Sequence, residues 1–136
     1  MIDQEITVPD LDDPLFAPFW QGTRDRRLMV QACDDCATPR WPPRCLCPAC
    51  GSFAVRWVEH AARGTLFSWT VIGKSTAKGF TDSPYVVGIV ALDDVPSIRV
   101  VGNVIGVAAA DLAAGLRLQG CFVDAGAMTV LRWEAG

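Results

Sequence analysis

The stretch QACDDCATPRWPPRCLCPACGS, Gln31–Ser52, holds five of the chain's six cysteines. Cys33 and Cys36 are separated by two residues, and Cys47 and Cys50 repeat this spacing later in the stretch. Two thiolates on one tight turn can face a single ion, so two such turns can supply a tetrahedral set of ligands. The stretch therefore predicts a four-cysteine zinc ribbon. Iron in a rubredoxin-like site is the alternative, because four thiolates in a tetrahedron also suit iron.

The second cysteine pair is the better formed of the two. Pro48 stiffens its turn, and Gly51 can adopt the positive φ that lets backbone N–H groups approach sulfur. Cys45, two residues before Cys47, is a second candidate for that ligand position, which the CPxC spacing assigns to Cys47. Cys121 lies far along the chain in an alternating stretch, and we expect it to be a small, half-buried strand residue.

A shell of four cysteines predicts a structural metal, because catalytic zinc keeps a position open for water and usually has histidine or carboxylate ligands. Metal binding contributes on the order of 10–16 kcal/mol in isolated finger peptides, enough to fold a ribbon too small for its own core. The single histidine, His60, stands beside Glu59 without a nucleophile motif, so we expect a structural or surface role for it. The residues favour a binding or accessory role.

Composition and the N-terminal sequence limit the class of protein. The chain has 136 residues, a formal net charge of −3 and a pI of about 5.0. No apolar run approaches the roughly 18 residues that span a bilayer. The start, MIDQEITVPDLDD, is acidic where a secretory signal is basic and then apolar. We expect a soluble cytoplasmic protein, one compact unit with a small appendage, in a reducing environment that disfavours disulfides.

An aromatic stripe precedes the ribbon. Asp13–Pro14 resembles a helix N-cap followed by proline at the first helical position. Phe16, Phe19 and Trp20 then recur at i, i+3 and i+4, the spacing of one face of a short helix, although Pro18 lies within it. The stripe either packs on the protein's own ribbon or barrel or docks onto a partner subunit.

Runs of β-branched and alternating residues predict strands on both sides of the cysteines. Leu28–Ala32 and Ala54–Val58 flank the cysteine loops and are expected to carry the two turns. Five further runs follow, each bounded by Gly, Pro, Asp or Ser: Thr65–Gly73, Pro84–Leu92, Ile98–Gly106, Leu116–Val123 and Met128–Trp133.

The order of these runs predicts the fold class. Val107–Gly115, the helical candidate of this region, falls between the third and fourth runs, which is the order of an OB-fold, a partly open barrel. The chain is therefore predicted to be mainly β. We expect an N-terminal helical segment at 1–27, a zinc ribbon at 28–62 and a five-stranded OB-fold barrel at 63–136.

The longest predicted loop, Lys74–Pro84, joins the first two barrel strands, where OB-folds commonly build a ligand site. The chain's two lysines, Lys74 and Lys78, lie in it. The aromatic residues that could line such a site are Phe67, Trp69, Phe80 and Tyr85. Lysines beside aromatic rings suit a ligand with a few phosphates and an apolar or adenine portion, although two loop lysines can equally be solvated surface. The net charge argues against single-stranded nucleic acid, whose phosphates the carboxylates would repel.

The order of these motifs is similar to that of a known family. The segments that carry the resemblance, besides Phe and Trp in the aromatic stripe, are RLMVQAC (27–33), PPRCLCPACGS (42–52), GTLFSWTVI (64–72), PYVVGIVALDD (84–94) and IRVVGNVIGV (98–107). They resemble the standalone rubredoxin-like zinc-ribbon plus OB-fold proteins associated with acyl-CoA enzymes. The match runs from Phe16 to about Val123 and is far more specific than the cysteine pairs alone.

The resemblance implies a small, non-catalytic subunit that helps a larger enzyme to fold, assemble or receive a CoA-linked substrate. It implies structural zinc on the four paired cysteines, a thiolase-like or lipid-transfer-protein-like large subunit as partner, a two-plus-two heterotetramer, and a CoA thioester held near Lys74 and Lys78. The aromatic stripe is the expected partner interface. The alternatives are a hydratase or acyltransferase partner, a nucleic-acid-binding module and an independent enzyme.

Overall fold

The structure, a computed structural model, describes residues 7–74 and 84–136. One short helix and eight strands make up its regular elements, together with a single 3-10 turn. In chain order they are α1 Ala17–Arg24, β1 Leu28–Cys33, β2 Pro39–Arg40, β3 Val55–His60, β4 Arg63–Ile72, β5 Tyr85–Leu92, β6 Arg99–Ile105, β7 Arg117–Ala125 and β8 Met128–Ala135. Within these residues no helix is long and apolar enough to cross a bilayer.

The first sheet forms the ribbon and has the antiparallel order β2-β1-β3. β1 is the central strand, and nearly all of its residues are buried, which explains its mostly apolar sequence LMVQAC. β3 pairs with β1 along its whole length, from Leu28 opposite His60 to Cys33 opposite Val55. The two predicted strands that flank the cysteines are therefore present, and the two-residue strand β2 is an addition to the prediction.

The second sheet closes into a barrel with the order β4-β5-β6-β8-β7. In β5 every second residue from Val86 to Leu92 is buried, and this period of two places one face toward the barrel interior. Trp133 is fully buried there, and its indole packs so closely on Gly102 that an added Cβ would lie 2.9 Å from the ring. The five-stranded OB-fold barrel that the sequence predicts is confirmed.

The helix begins later than the sequence predicts. Its first residue is Ala17 and its N-cap is Phe16, whereas the sequence placed the N-cap at Asp13. The Asp13 carbonyl instead accepts hydrogen bonds from the backbone N–H groups of Phe16 and Ala17, at 2.9 and 2.7 Å, and so forms a turn ahead of the helix. Pro18 therefore lies in the first helical turn, where a missing N–H removes no helix hydrogen bond.

The predicted helix at Val107–Gly115 is reduced to a 3-10 turn of three residues, Ala109–Asp111. The exposed alanines of this segment offer no apolar face to bury, and Leu112 alone in it is buried. Gly115 then takes a φ of +87°, a left-handed conformation that stops any helix. The segment is therefore a tight connection between β6 and β7.

Phe19 joins the three parts of the chain. It is 8% exposed and makes edge-to-face contacts with Trp20 on its own helix and with Trp41 in the ribbon, with ring centroids 5.0 and 4.9 Å apart. It belongs to one continuous buried cluster that includes Leu28 of the ribbon and Trp133 of the barrel. The helix, the ribbon and the barrel thus share a single hydrophobic core.

We predict that Phe19→Ala will lower the free energy of unfolding by about 3–5 kcal/mol, because it leaves a cavity where these aromatic rings meet. Denaturant unfolding followed by tryptophan fluorescence measures this loss. Phe53→Ala is the matched control, since Phe53 is 75% exposed and its removal should change stability by no more than about 0.5 kcal/mol. Equal losses in the two variants would contradict a shared core centred on Phe19.

Candidate metal centre and ligand surfaces

Four cysteine sulfurs converge at one end of the ribbon. The Sγ atoms of Cys33, Cys36, Cys47 and Cys50 all lie within 4.8 Å of one another. Two of the sulfur pairs join the two turns: Cys33 to Cys50 and Cys36 to Cys47, each at 3.6 Å. Zinc–sulfur bonds of about 2.3 Å place tetrahedral sulfurs about 3.8 Å apart. The spacing of the four sulfurs therefore fits a zinc ion.

The two cysteine turns have the same backbone design. In the second turn, Cys47 N–H donates to the Ser52 carbonyl and Gly51 N–H donates to the Cys47 carbonyl, both at 2.9 Å. Gly51 has a φ of +77°, the positive value expected from the sequence. This conformation directs the backbone inward and brings both sulfurs of the turn to the same side.

The first turn repeats this design with alanine in place of glycine. Cys33 N–H donates to the Thr38 carbonyl, and Ala37 N–H donates to the Cys33 carbonyl, again at 2.9 Å. Ala37 adopts a φ of +65°, which is strained for a residue with a Cβ. The Cys36 backbone N–H also points at the Cys33 sulfur, at 3.4 Å. A metal that draws both sulfurs together would offset this strain.

Hydrogen bonds and crowding move the pKa values of the cysteines apart. The Thr38 hydroxyl and backbone N–H stabilise the Cys36 thiolate and lower its pKa to about 6. The Ser52 backbone N–H favours the Cys50 thiolate, but the neighbouring cysteine sulfurs outweigh it and raise the pKa of Cys50 to about 12. Thiolates this close repel one another, so a divalent cation is what allows all four to ionise together.

The two remaining cysteines lie outside this cluster. Cys45 is exposed beside the second turn, and its sulfur is not among the four that converge. Cys121 is half-buried in β7, and burial raises the pKa of its thiol, which disfavours a reactive thiolate. Both placements agree with the expectation from the sequence.

A buried polar network holds the loop between β2 and the second turn. The Gln31 side-chain oxygen accepts hydrogen bonds from Arg40 Nε at 2.8 Å and from the Arg44 backbone N–H at 2.7 Å. Arg40 Nη2 donates in turn to the Arg44 carbonyl at 3.0 Å. Sequence reasoning missed this network, although a glutamine within the apolar strand LMVQAC is a signal that could have drawn attention to it.

The structure places Phe67 and Trp69 on opposite faces of β4. A β-bulge between Leu66 and Ser68 shifts the register, so that Trp69 pairs with the inward-facing Gly88. Phe67 instead lies on the outer surface, where the Arg99 guanidinium covers its ring at 3.8 Å. Simple alternation would put both aromatic rings on one face, and the bulge prevents this.

Two of the other predicted ligand residues, Tyr85 and Lys74, lie at the end of the barrel where β4 ends and β5 begins. Tyr85 begins β5 and is half-buried opposite Ile72, and Lys74 is exposed just beyond β4. Lys78 and Phe80 lie outside the described residues. A CoA groove formed by all of these side chains therefore remains a prediction.

The aromatic stripe is divided between core and surface. Phe19 is buried in the core described above, whereas Phe16 and Trp20 are half-buried. Phe16 and Trp20 help to line an apolar pocket of about 240 Å³ between α1 and strands β6 and β8. Val101, which also lines the pocket, is 60% exposed. The part of the stripe available to a partner is therefore Phe16 and Trp20.

A second apolar surface, which the sequence did not single out, lies on the ribbon. A groove of about 450 Å³ there is lined by Leu15, Phe53, Val55 and Trp57, with Gln31 and Arg44 among its polar residues. Phe53, at 75% exposed, is the most exposed of the large hydrophobic residues in the described chain. We call this surface the ribbon groove.

His60 lies at the end of β3, where the chain passes from ribbon to barrel. Its Nδ1 is 3.7 Å from an Asp94 carboxylate oxygen, and its side chain is largely buried. The Asp94 carboxylate also accepts a hydrogen bond from the Ala61 backbone N–H at 3.0 Å. The sequence led us to expect a structural or surface role for this histidine, and its position at the junction fits a structural one.

The site and the fold together define a protein of the zinc-ribbon plus OB-fold class. Two adjacent family profiles match the chain: the rubredoxin-like zinc ribbon domain of ChsH2 over residues 20–56 and the C-terminal OB-fold domain of ChsH2 over residues 57–123. The chain belongs to the ChsH2 family, also called DUF35. The family profile and the sulfur cluster together identify the metal as structural zinc.

Solved structures share this architecture over nearly the whole chain. The structure named Ltp2-ChsH2(DUF35) aldolase matches with a TM-score of 0.84 and 30% identity, covering 94% of this chain and 98% of that one. A DUF35 protein from Sulfolobus solfataricus matches with a TM-score of 0.64 and 14% identity, covering 93% of this chain and 89% of that one. The second likeness shows the fold alone.

Curated relatives include subunits of acyl-CoA hydratases. A protein of Thermomonospora curvata, named "Probable enoyl-CoA hydratase alpha subunit", is 37% identical over 99 residues, which is 72% of this chain and 30% of the relative. The 3-oxo-4,17-pregnadiene-20-carboxyl-CoA hydratase alpha subunit of Mycobacterium tuberculosis is 28% identical over 85% of this chain and 36% of the relative. The chain thus spans about a third of the length of these two relatives.

We predict that Cys47→Ser will reduce bound zinc from about one ion per chain to a small fraction, because three thiolates hold the metal far less tightly than four. Metal analysis of the purified protein and the visible absorption of its cobalt-substituted form measure the change. Cys45→Ser is the matched control and should retain its zinc, since the Cys45 sulfur lies outside the cluster. Loss of zinc from this control instead would assign the fourth ligand to Cys45.

Proposed function

We propose that this chain is a non-catalytic accessory subunit that binds and stabilises a thiolase-like acyl-CoA enzyme, either a thiolase or a retro-aldol C–C lyase. The observation that carries the proposal is the match to the ChsH2(DUF35) chain of the Ltp2-ChsH2 aldolase, which covers 94% of this chain at a TM-score of 0.84. Because the likeness extends over both the ribbon and the barrel, it supports a shared role as an accessory subunit as well as a shared fold.

The chemistry of the described residues supports an accessory role. The metal cluster consists of four sulfurs, and a closed four-sulfur shell leaves no position for water or substrate. The histidine is held at the junction of the two sheets beside Asp94. The chain contributes a rigid support with apolar surfaces, and the large subunit carries the reaction.

Two surfaces are suited to the large subunit. One is formed by Phe16, Trp20 and Val101 beside the α1 pocket, and the other is the ribbon groove with Phe53. Exposed apolar patches with polar rims are typical of protein interfaces. We propose that the complex is a two-plus-two heterotetramer in the cytoplasm and that structural zinc on Cys33, Cys36, Cys47 and Cys50 keeps the ribbon in shape for docking.

An acyl-CoA hydratase is the second candidate for the partner. Two curated relatives are alpha subunits of hydratases and are about three times as long as the segment they share with this chain. In that case the chain would support a hydratase in place of a C–C lyase. An acyltransferase is a further candidate for the partner that the chain would support. The net charge of −3 disfavours the alternative of a nucleic-acid-binding module.

The test of the proposed function is affinity purification of the tagged chain from its native host with zinc retained, followed by mass spectrometry. A thiolase-like enzyme that co-elutes in stoichiometric amounts supports the proposal and names the reaction. A hydratase or acyltransferase supports the second candidate. Recovery of nucleic acid with binding that weakens steeply as salt rises would overturn both.

We predict that chelation of zinc from the purified complex will release the large subunit, because the ribbon surfaces lose their shape once the sulfurs are no longer held together. Size-exclusion chromatography before and after chelation measures the release. The large subunit should keep its active-site chemistry when assayed with zinc removed, since the metal is not part of that site. A complex that persists after complete removal of zinc contradicts the prediction.

We also propose that Lys74, just beyond the end of β4, and Lys78, four residues later in the sequence, hold the phosphates of the CoA thioester. Lys74→Ala together with Lys78→Ala is expected to lower the affinity of the complex for CoA about tenfold, because two charge-assisted contacts to phosphate are lost. Calorimetric titration with CoA measures this loss. Arg56→Ala removes an exposed cation from the ribbon and serves as control. Unchanged affinity in the double variant would place the CoA site elsewhere.

A further inference from the structure

Arg40 is a buried cation without a carboxylate partner. Its side chain is 4% exposed, and across residues 7–74 and 84–136 no carboxylate oxygen lies within 4.0 Å of its guanidinium. Its Nη1 atom is buried without a hydrogen-bond partner. The other two guanidinium nitrogens bond only to neutral oxygens, of Gln31 and Arg44. A buried guanidinium is charged and costly unless some negative charge lies near it.

The sheet register places this cation beside the sulfur cluster. Arg40 lies directly opposite Gln31, and Gln31 and Cys33 are two residues apart on the same face of β1. Two residues of a strand span about 7 Å. On its other side the guanidinium is bonded to Arg44, three residues before Cys47. Arg40 therefore lies between two chain segments: β1, which leads to Cys33 in the first turn, and the segment from Arg44 that leads to Cys47 in the second turn.

The metal centre supplies the negative charge that the Arg40 guanidinium otherwise lacks as a partner. Four thiolates around one divalent cation leave two net negative charges. Two of the ligands are themselves buried, Cys33 at 0% and Cys47 at 1% exposed, so this charge is only partly solvated. The carboxylates of the first turn, Asp34 and Asp35, are exposed and add negative charge. A dianionic centre and a buried cation on the same face of the sheet each reduce the cost of burying the other.

We propose that Arg40 is a positioning residue that sets the affinity of the ribbon for zinc. Its charge compensates the zinc–thiolate centre, and its hydrogen bonds to Arg44 fix the loop that delivers Cys47. The inference rests on the structural zinc of the ribbon and not on the identity of the partner enzyme.

The test compares three variants of the full chain by competition with a chelator of known zinc affinity at fixed pH. Arg40→Met, which keeps an unbranched side chain and removes its charge, should bind zinc about 10- to 100-fold more weakly. Arg40→Lys keeps the charge and should recover part of the affinity, since an ammonium replaces the charge of the guanidinium and not its forked hydrogen bonds. Arg56→Met removes an exposed arginine on the other face of the same sheet and should match the wild type.

Thermal unfolding with and without zinc separates this role from a merely structural one. Arg40→Met should lower the melting temperature of the zinc-loaded chain more than that of the zinc-free chain, because only the loaded ribbon carries the negative centre, whereas the lost hydrogen bonds to Gln31 and Arg44 can affect both forms. Equal destabilisation of both forms, or equal loss of zinc affinity in Arg40→Met and Arg40→Lys, would overturn charge compensation. Zinc content of the wild type is measured first, and its absence would overturn the zinc assignment itself.

Discussion

The convergence of four sulfurs on one ion is the constraint on which the ribbon depends. Between the end of β1 and the start of β3 the chain runs for residues 34–54, and the buried residues in this run are Arg40, Pro43 and Cys47. None of them is a large aliphatic side chain, so the loops have almost no hydrophobic core of their own. What fixes them is the sulfur cluster, the paired N–H bonds of the two cysteine turns, and the Gln31 network. Remove the ion, and the remaining contacts are too few to offset the conformational entropy of the loops.

The ribbon in turn fixes the helix relative to the barrel. Trp41 belongs to the loop that the metal holds, and its ring packs on Phe19, which is part of the core shared with the barrel. The connection from β3 to β4 is short, with His60 ending one strand and Arg63 beginning the next. The metal fixes the loop that carries Trp41, and the contact of Trp41 with Phe19 and the short connection from β3 to β4 fix the ribbon and helix against the barrel. The relative positions of the outer surfaces therefore depend on all three.

The sequence was sufficient for the features that local chemistry determines. Cysteine spacing identified the sulfur cluster, Gly51 identified the positive φ of the second turn, and runs of β-branched residues located the barrel strands. The sequence was not sufficient for features that depend on how distant strands pair. The bulge after Leu66, which separates Phe67 from Trp69, depends on the register with β5. The domain boundaries and the CoA groove remain predictions.

The start of the helix and the burial of Arg40 are two further features that the sequence alone could not predict. Pro18 looked like an interruption because the helix was started at Asp13, and only the backbone bonds of the turn show that the proline lies in the first turn. Arg40 was not singled out from the sequence among the chain's ten arginines. Its burial depends on its hydrogen bond to Gln31 on the neighbouring strand. We propose that the negative zinc centre compensates its charge.

Metal binding and partner surface are coupled by geometry. The ribbon groove is lined by Val55 and Trp57, which lie opposite Cys33 and Gln31 on β1. Directly opposite residues share a face of a sheet, so the groove and the sulfur cluster lie on the same face of the ribbon. A change at the metal therefore alters the wall of the groove through one layer of side chains. For a subunit whose proposed role is docking, this places the zinc on the same face as one of the proposed docking surfaces.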